Sequence, residues 1–164
     1  MPNLTPKQLA EIPTLLPSLI DWGERMEKKA LSEGIALNEV LRNTATILRI
    51  EDIDTVRILA VSSIPEPQTR RIIELGTSLG LSFPNLGGIT LGHGILVRRP
   101  YIQDNALLTH ELVHVRQYEQ HKTIAAYLPI YVQQLIRYGY QKMPLELEAV
   151  VETAKLWPPF SHRN

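Results

Sequence analysis

Asp104-Asn105-Ala106-Leu107-Leu108-Thr109-His110-Glu111-Leu112-Val113-His114-Val115 is an apolar-periodic stretch with an H-E-x-x-H sequence set inside it. Asp104 or Asn105 offers an N-cap, and Leu107, Leu108, Leu112, Val113 and Val115 offer buried faces, so the pattern predicts a helix. On that helix, residues four apart are separated by ~400° of rotation and ~6 Å of rise, which sends His110 and His114 out from one face. Two imidazoles so placed can grip one metal ion. Glu111 lies ~100° round from His110, near enough to take a proton from a water on the ion and too far round to be a neighbouring ligand. These residue types at this spacing suit hydrolysis supported by Zn²⁺, with Glu111 as the general base.

The rest of the composition narrows the field. A chain of 164 residues is of the size of one domain that buries about two-thirds of its unfolded surface. It has no cysteine, which excludes disulfide frameworks, thiolate zinc clusters and cysteine nucleophiles and leaves His and carboxylates as ligands. Lys plus Arg and Asp plus Glu balance at 17 each, so no basic field is available for nucleic acid. The start, Met1-Pro2-Asn3-Leu4-Thr5-Pro6, lacks the basic-then-apolar order of a secretory signal. Ile124 to Tyr140 is interrupted by Pro129, Gln133, Gln134 and Arg137, too often for a membrane span. A soluble, cytoplasmic protein is the expectation.

Along the chain, Pro6, Pro13 and Pro17 among leucines predict short turns or an extended arm over residues 4–17. An amphipathic helix is expected from Ser18 to about Ser32, closed by Gly34, and a weaker one from Leu37 to Leu48. Val56 to Val61 has the β-branched density of a strand, and Gln68 to Leu79 the spacing of a helix capped by Gly80. Ile89 to Val97 reads as one strand whose Gly92 and Gly94 mark a bulge or a close approach. After the His-bearing helix, Ile124 to Tyr138 forms another that Pro129 should start or kink, and Pro144 opens a last one that stops before Trp157-Pro158-Pro159. This order predicts an α+β fold with a small sheet. Residues 1–50 are expected to be a helical arm able to lie over a cleft, and residues 51–164 the domain that carries the site.

A catalytic zinc takes about three protein ligands and keeps one position open. Glu119 and His121 stand further along the helix of His114 and cannot share its ion. Gln117 and Gln120 occupy the places of the glycine and third histidine in the longer H-E-x-x-H-x-x-G-x-x-H pattern, so that pattern fails. The C-terminal helix offers Glu146, Glu148 and Glu152, with room for one intervening helix after His114.

His110 to His114 followed by Glu146-Leu147-Glu148-Ala149 resembles the glutamate-zincin (gluzincin) metallopeptidases, and most nearly their minimal bacterial single-domain members. The resemblance covers about residues 85 to 152, including a strand before the metal helix and a glutamine, Gln117, after its second histidine. It implies a zincin-like fold, a zinc ion, and a peptide or protein substrate. It also implies a third ligand that opens an E-x-x-small sequence, followed by a buttressing acidic residue. Starting at Glu146 puts Ala149 at the small position and Val150, which cannot hydrogen-bond, at the buttress. Starting at Glu148 puts Val151 and Glu152 there. Glu146 is preferred because a small residue permits close helix packing, and Glu148 stays open as the alternative.

Three residues are set beside the ligands as supporting or substrate-contacting groups: His93 on the strand, Glu152 and Gln117. No tyrosine is singled out among Tyr127, Tyr131, Tyr138 and Tyr140, and His162 in the tail is a poor ligand. Two rival readings use the same residues: a non-catalytic, zinc-stabilised scaffold that binds a protein partner, and a latent enzyme covered by its N-terminal arm.

Overall fold

In a computed structural model, which describes residues 4–158, Thr5 starts one long helix, α1 (Pro6–Glu33), that runs through both prolines. This corrects the expected turns over residues 4–17. Thr5 and Gln8 form a reciprocal capping box with Pro6 in the first turn, a start signal that the prolines further on obscure. Pro13 and Pro17 forfeit the bonds to the carbonyls of Leu9 and Pro13. All three residues lie on the exposed side of α1, where water can satisfy what the prolines release. Arg71 Nε reaches Glu11 Oε2 at 2.6 Å and ties α1 to helix α3 (Arg70–Ser78).

The sheet has the order β1-β2-β4-β3, from β1 (Ile35–Ala36), β2 (Arg57–Val61), β3 (Gly88–Leu91) and β4 (Gly94–Arg98). The pair β2–β4 is parallel and the two outer pairs are antiparallel. The single strand expected over Ile89 to Val97 is thus a hairpin, β3 and β4 turning at Gly92-His93. Gly92 has φ +61° and His93 is not among the positive-φ residues, the requirement of a type II′ turn. Taking Gly92 and Gly94 as marks of a bulge or a close approach keeps all nine residues on one strand, whereas the positive φ of Gly92 turns the chain back.

β4 is buried on both faces. Leu96 joins Trp22 and Ala30 of α1 in one core cluster, while Ile95 and Val97 join Leu108 and Leu112 of helix α4 (Asn105–His121) in another. Helix α2 (Glu39–Ile47) packs on that second face through Leu41 and Ala45. Each buried Leu, Ile or Val among them contributes ~1.5–3 kcal/mol by leaving water. Cross-strand pairing of Thr90 with Ile95 turns Thr90 towards α4.

Asp104 is the N-cap of α4, its Oδ1 accepting from the Leu107 amide at 3.1 Å. Helix α5 (Ile124–Tyr138) is capped by Thr123, so Pro129 lies inside it and does not start it. Helix α6 (Pro144–Leu156) packs across α4, with Ala149 fully buried between them. Among the described residues no helix is long and apolar enough to cross a membrane. Pro159 and His162 lie outside the described residues.

A test of the hairpin follows from Gly92. A methyl group there would overlap the Glu27 carboxylate, whose Oε1 accepts from the His93 amide at 2.9 Å, and would sit on a positive-φ backbone. Gly92→Ala is therefore expected to cost about 2 kcal/mol or more, combining left-handed strain with the displaced carboxylate. Urea unfolding measures it, and an unchanged midpoint would contradict this turn.

Candidate metal centre

Helix periodicity brings the two histidines together, and tertiary packing supplies the acid. His110 Nε2 and His114 Nε2 are 3.2 Å apart. Glu146, two residues into α6, places Oε2 3.2 Å from His110 Nε2 and Oε1 3.5 Å from His114 Nε2. One ligand atom from each of the three lies within 4.8 Å of the others, so the group could hold a metal ion. All three side chains are buried, Glu146 at 2 % exposure.

The donor chemistry fits a cation. Gln117 Oε1 lies 2.8 Å from His114 Nδ1 and so accepts from it, which leaves the Nε2 lone pair directed at the group. That lone pair faces a second imidazole nitrogen and a carboxylate, an arrangement that repels itself unless a proton or a metal ion occupies the middle. Burial lowers the His114 pKa, but the charge and hydrogen bond of Glu146 outweigh it, and the ring is pushed up to about 9. Burial likewise works to raise Glu146, yet the imidazoles hold it well below the usual carboxylate range.

Glu111 sits beside this group on the sheet side. The Thr90 hydroxyl lies 2.7 Å from Glu111 Oε2 and 3.0 Å from the Glu111 carbonyl oxygen. Gly88, two residues earlier on the same face of β3, leaves the space the carboxylate fills, since a Cβ there would come within 3.0 Å of Oε1. Burial pushes the Glu111 carboxyl up, against the opposing pull of both imidazoles and of Thr90.

Glu148 faces elsewhere. Residues two apart on a helix are ~200° apart, so when Glu146 points at the histidines Glu148 turns away from them. Its Oε2 accepts from Gln117 Nε2 at 2.7 Å and its Oε1 from Arg116 at 2.7 Å. Glu152, one turn on, pairs with Arg116 at 3.8 Å and Lys155 at 2.5 Å. Gln117 therefore joins His114 to α6, through Glu148 and through the Leu145 carbonyl at 3.0 Å. His93 lies in the hairpin turn with Nε2 2.9 Å from Glu119 Oε1, and that carboxylate also caps the amides of Glu51 and Asp52. His121 bonds the Gln117 carbonyl.

Four residues around the centre were not singled out from sequence: Gly88, Thr90, Tyr127 and Tyr131. Tyr131 donates to Glu146 Oε1 at 3.0 Å and Tyr127 to Gln117 Oε1 at 3.1 Å. The period-two spacing of Gly88 and Thr90 becomes a signal only once β3 is laid on α4. The tyrosines have no sequence signal, because their roles depend on how α5 folds back.

The centre opens into an apolar cavity of about 140 Å³ along β3, walled by α1, α3 and α5. Comparison with protein-family models, with curated proteins and with solved structures finds no match to this chain.

Two outcomes follow for metal binding. Since metal-free His114 holds its proton up to about pH 9, an incoming divalent ion must displace it. Affinity for Zn²⁺ is expected to rise about tenfold per pH unit from neutrality towards that value, with proton release seen by calorimetry in buffers of differing ionisation enthalpy. Gln117→Ala should lower the affinity about 10- to 100-fold while leaving all three ligand groups in place, as competition with a chromogenic chelator would report. A pH-independent affinity would contradict the proton-holding geometry.

Proposed function

We propose that the protein is a zinc-dependent hydrolase, a metallopeptidase of the glutamate-zincin type, with His110, His114 and Glu146 holding the ion and Glu111 moving the proton. One observation carries this reading: a buried His-His-Glu group has a second carboxylate, Glu111, held beside it by a hydroxyl and a glycine gap. Zinc, when bound, polarises a carbonyl and makes a water acidic near neutrality.

The rest is the work of the chain. A carboxyl raised by burial is a stronger base than an exposed one, and its pKa lies nearer the working pH, which suits both halves of a proton transfer. Glu111 takes the proton from the attacking water and returns it to the departing amine. Thr90 fixes the carboxylate rotamer during both steps. Gln117 holds the His114 ring, and Tyr131 orients Glu146. Among the described residues β3 is an edge strand, and the backbone groups of that edge can align a substrate next to Glu111.

A second reading has a specific observation behind it. Ile12, Leu15, Leu16, Leu19 and Trp22 of α1 help to wall the cavity, so the N-terminal helix restricts entry, in keeping with a latent form. Trimming within residues 1–17 would cut through α1, so latency is better tested by substitutions on its inner face.

Glu111→Gln keeps the size of the side chain and a group to bond Thr90. It is expected to retain zinc at full stoichiometry by elemental analysis and to lose about 10²- to 10⁴-fold in hydrolysis of a peptide library. His110→Ala should lose the metal itself. Purified protein with no metal after zinc supplementation would defeat the proposal, and zinc-loaded protein inert in all forms would favour a scaffold.

A further inference from the structure

We infer that the cavity beside the metal centre receives a long hydrocarbon chain, so that the substrate carries an unbranched acyl or alkyl tail next to its scissile carbonyl. The position of the carbonyl rests on the proposed hydrolase; the hydrocarbon preference rests on the walls.

The lining is segregated. Charged and imidazole groups enter it at one place among the described residues, through His110, Glu111, His114 and Glu146, with Thr90 and the Tyr131 hydroxyl close by. The remaining side chains are hydrocarbon or aromatic, their polar atoms being the indole N–H of Trp22 and the hydroxyls of Tyr118, Tyr127 and Tyr140. On α1 the lining runs from Ile12 to Trp22, about 15 Å along the axis, which is longer than any one amino-acid side chain. The other walls include Leu75 of α3, Leu79 just past its end and Leu135 of α5.

This geometry discriminates between occupants. An extended peptide running into this cavity would present N–H and C=O groups on both edges, and β3 can pair with only one of them, so a peptide is left to the amine side of the scissile bond, along β3, and the tail to the acyl side. The other edge would face α1, α3 and α5, whose inward backbone groups are already bonded within their helices. Stranded amides cost several kcal/mol in an apolar space, whereas a methylene chain strands nothing. An enclosed apolar cavity of about this volume takes up a ligand of benzene size, so the apolar part of these walls favours hydrocarbon over amide groups. The ordering of one polar end and one long apolar end therefore matches a molecule with a carbonyl head and a hydrocarbon tail.

The test is a homologous series of n-alkyl hydroxamates, from acetohydroxamate to decanohydroxamate, titrated into zinc-loaded and zinc-stripped protein. Tryptophan fluorescence in a Trp157→Phe background, which leaves Trp22 of the cavity wall as the emitter, and calorimetry report binding. Affinity is expected to rise about fourfold per methylene in both forms until the cavity is full, the increment expected for burying a CH₂. Val132→Trp, which adds bulk to the α5 wall, should make the rise stop at a shorter chain. Affinity that is flat along the series overturns the inference, as does tighter binding of leucyl dipeptide hydroxamates than of alkyl chains with equal carbon number. The metal reading fails separately: a chain-length rise with no gain from zinc sinks the hydrolase and leaves the hydrocarbon pocket standing.

Discussion

Two imidazole nitrogens and a carboxylate held within about hydrogen-bonding distance, away from water, form an arrangement that demands a positive charge. At 3.2 Å the lone pairs of His110 and His114 cannot both face each other unshared, and Glu146 adds a full negative charge between them. The folded chain accepts this because every neighbouring element contributes to it. The α4 turn sets the spacing of the rings, and α6 delivers the acid. The packing of Ala149 lets α6 come close enough to α4 for Glu146 to reach. A bulkier residue at 149 would push Glu146 away and remove the convergence without touching a ligand.

Orientation is a separate problem, and polar bridges between helices solve it. Gln117 uses both ends of its amide, accepting from His114 and donating to Glu148 and Leu145, while Tyr127 adds a donor to the same oxygen. A buried amide with all these partners is rigid, because losing any one of them leaves a polar atom stranded in the core. The electrostatics follow from the same rigidity. The pull that depresses Glu146 also raises His114, and both express one interaction between a fixed carboxylate and a fixed ring.

The sequence made the α4 helix, its cap at Asp104 and the shared face of His110 and His114 legible, because those depend on contacts within five residues. What lay beyond that range was legible only in part. Glu146 and Glu148 were both candidates, since one helix presents either residue depending on its rotation, and the rotation is set by Ala149 and Arg116 across the interface. The hairpin was hidden because Gly92 and Gly94 read equally as a bulge, and only pairing distinguishes the two. The continuity of α1 is not legible because the lost bond of a proline counts against a helix in any sequence, while the side of the helix it occupies is set only by packing. His93 was a candidate supporting or substrate-contacting group from its place near the metal helix, but its ring pairs with Glu119 in the hairpin turn.

The apolar walls and the charged group also act on each other. Coulombic attraction between Glu146, the rings and any cation grows as water is excluded, and the inner face of α1 helps to exclude it. Leu15, Leu16 and Leu19 therefore influence the centre by lowering the dielectric in which the ligand atoms interact. The same exclusion raises the cost of leaving the group unfilled and pushes Glu111 towards its neutral form. A polar substitution on that inner face would admit water, weaken the grip on a cation and return Glu111 towards an ordinary carboxylate. The long proline-bearing helix thus conditions the electrostatics of the centre as well as walling the cavity, and its capping box holds its start in place.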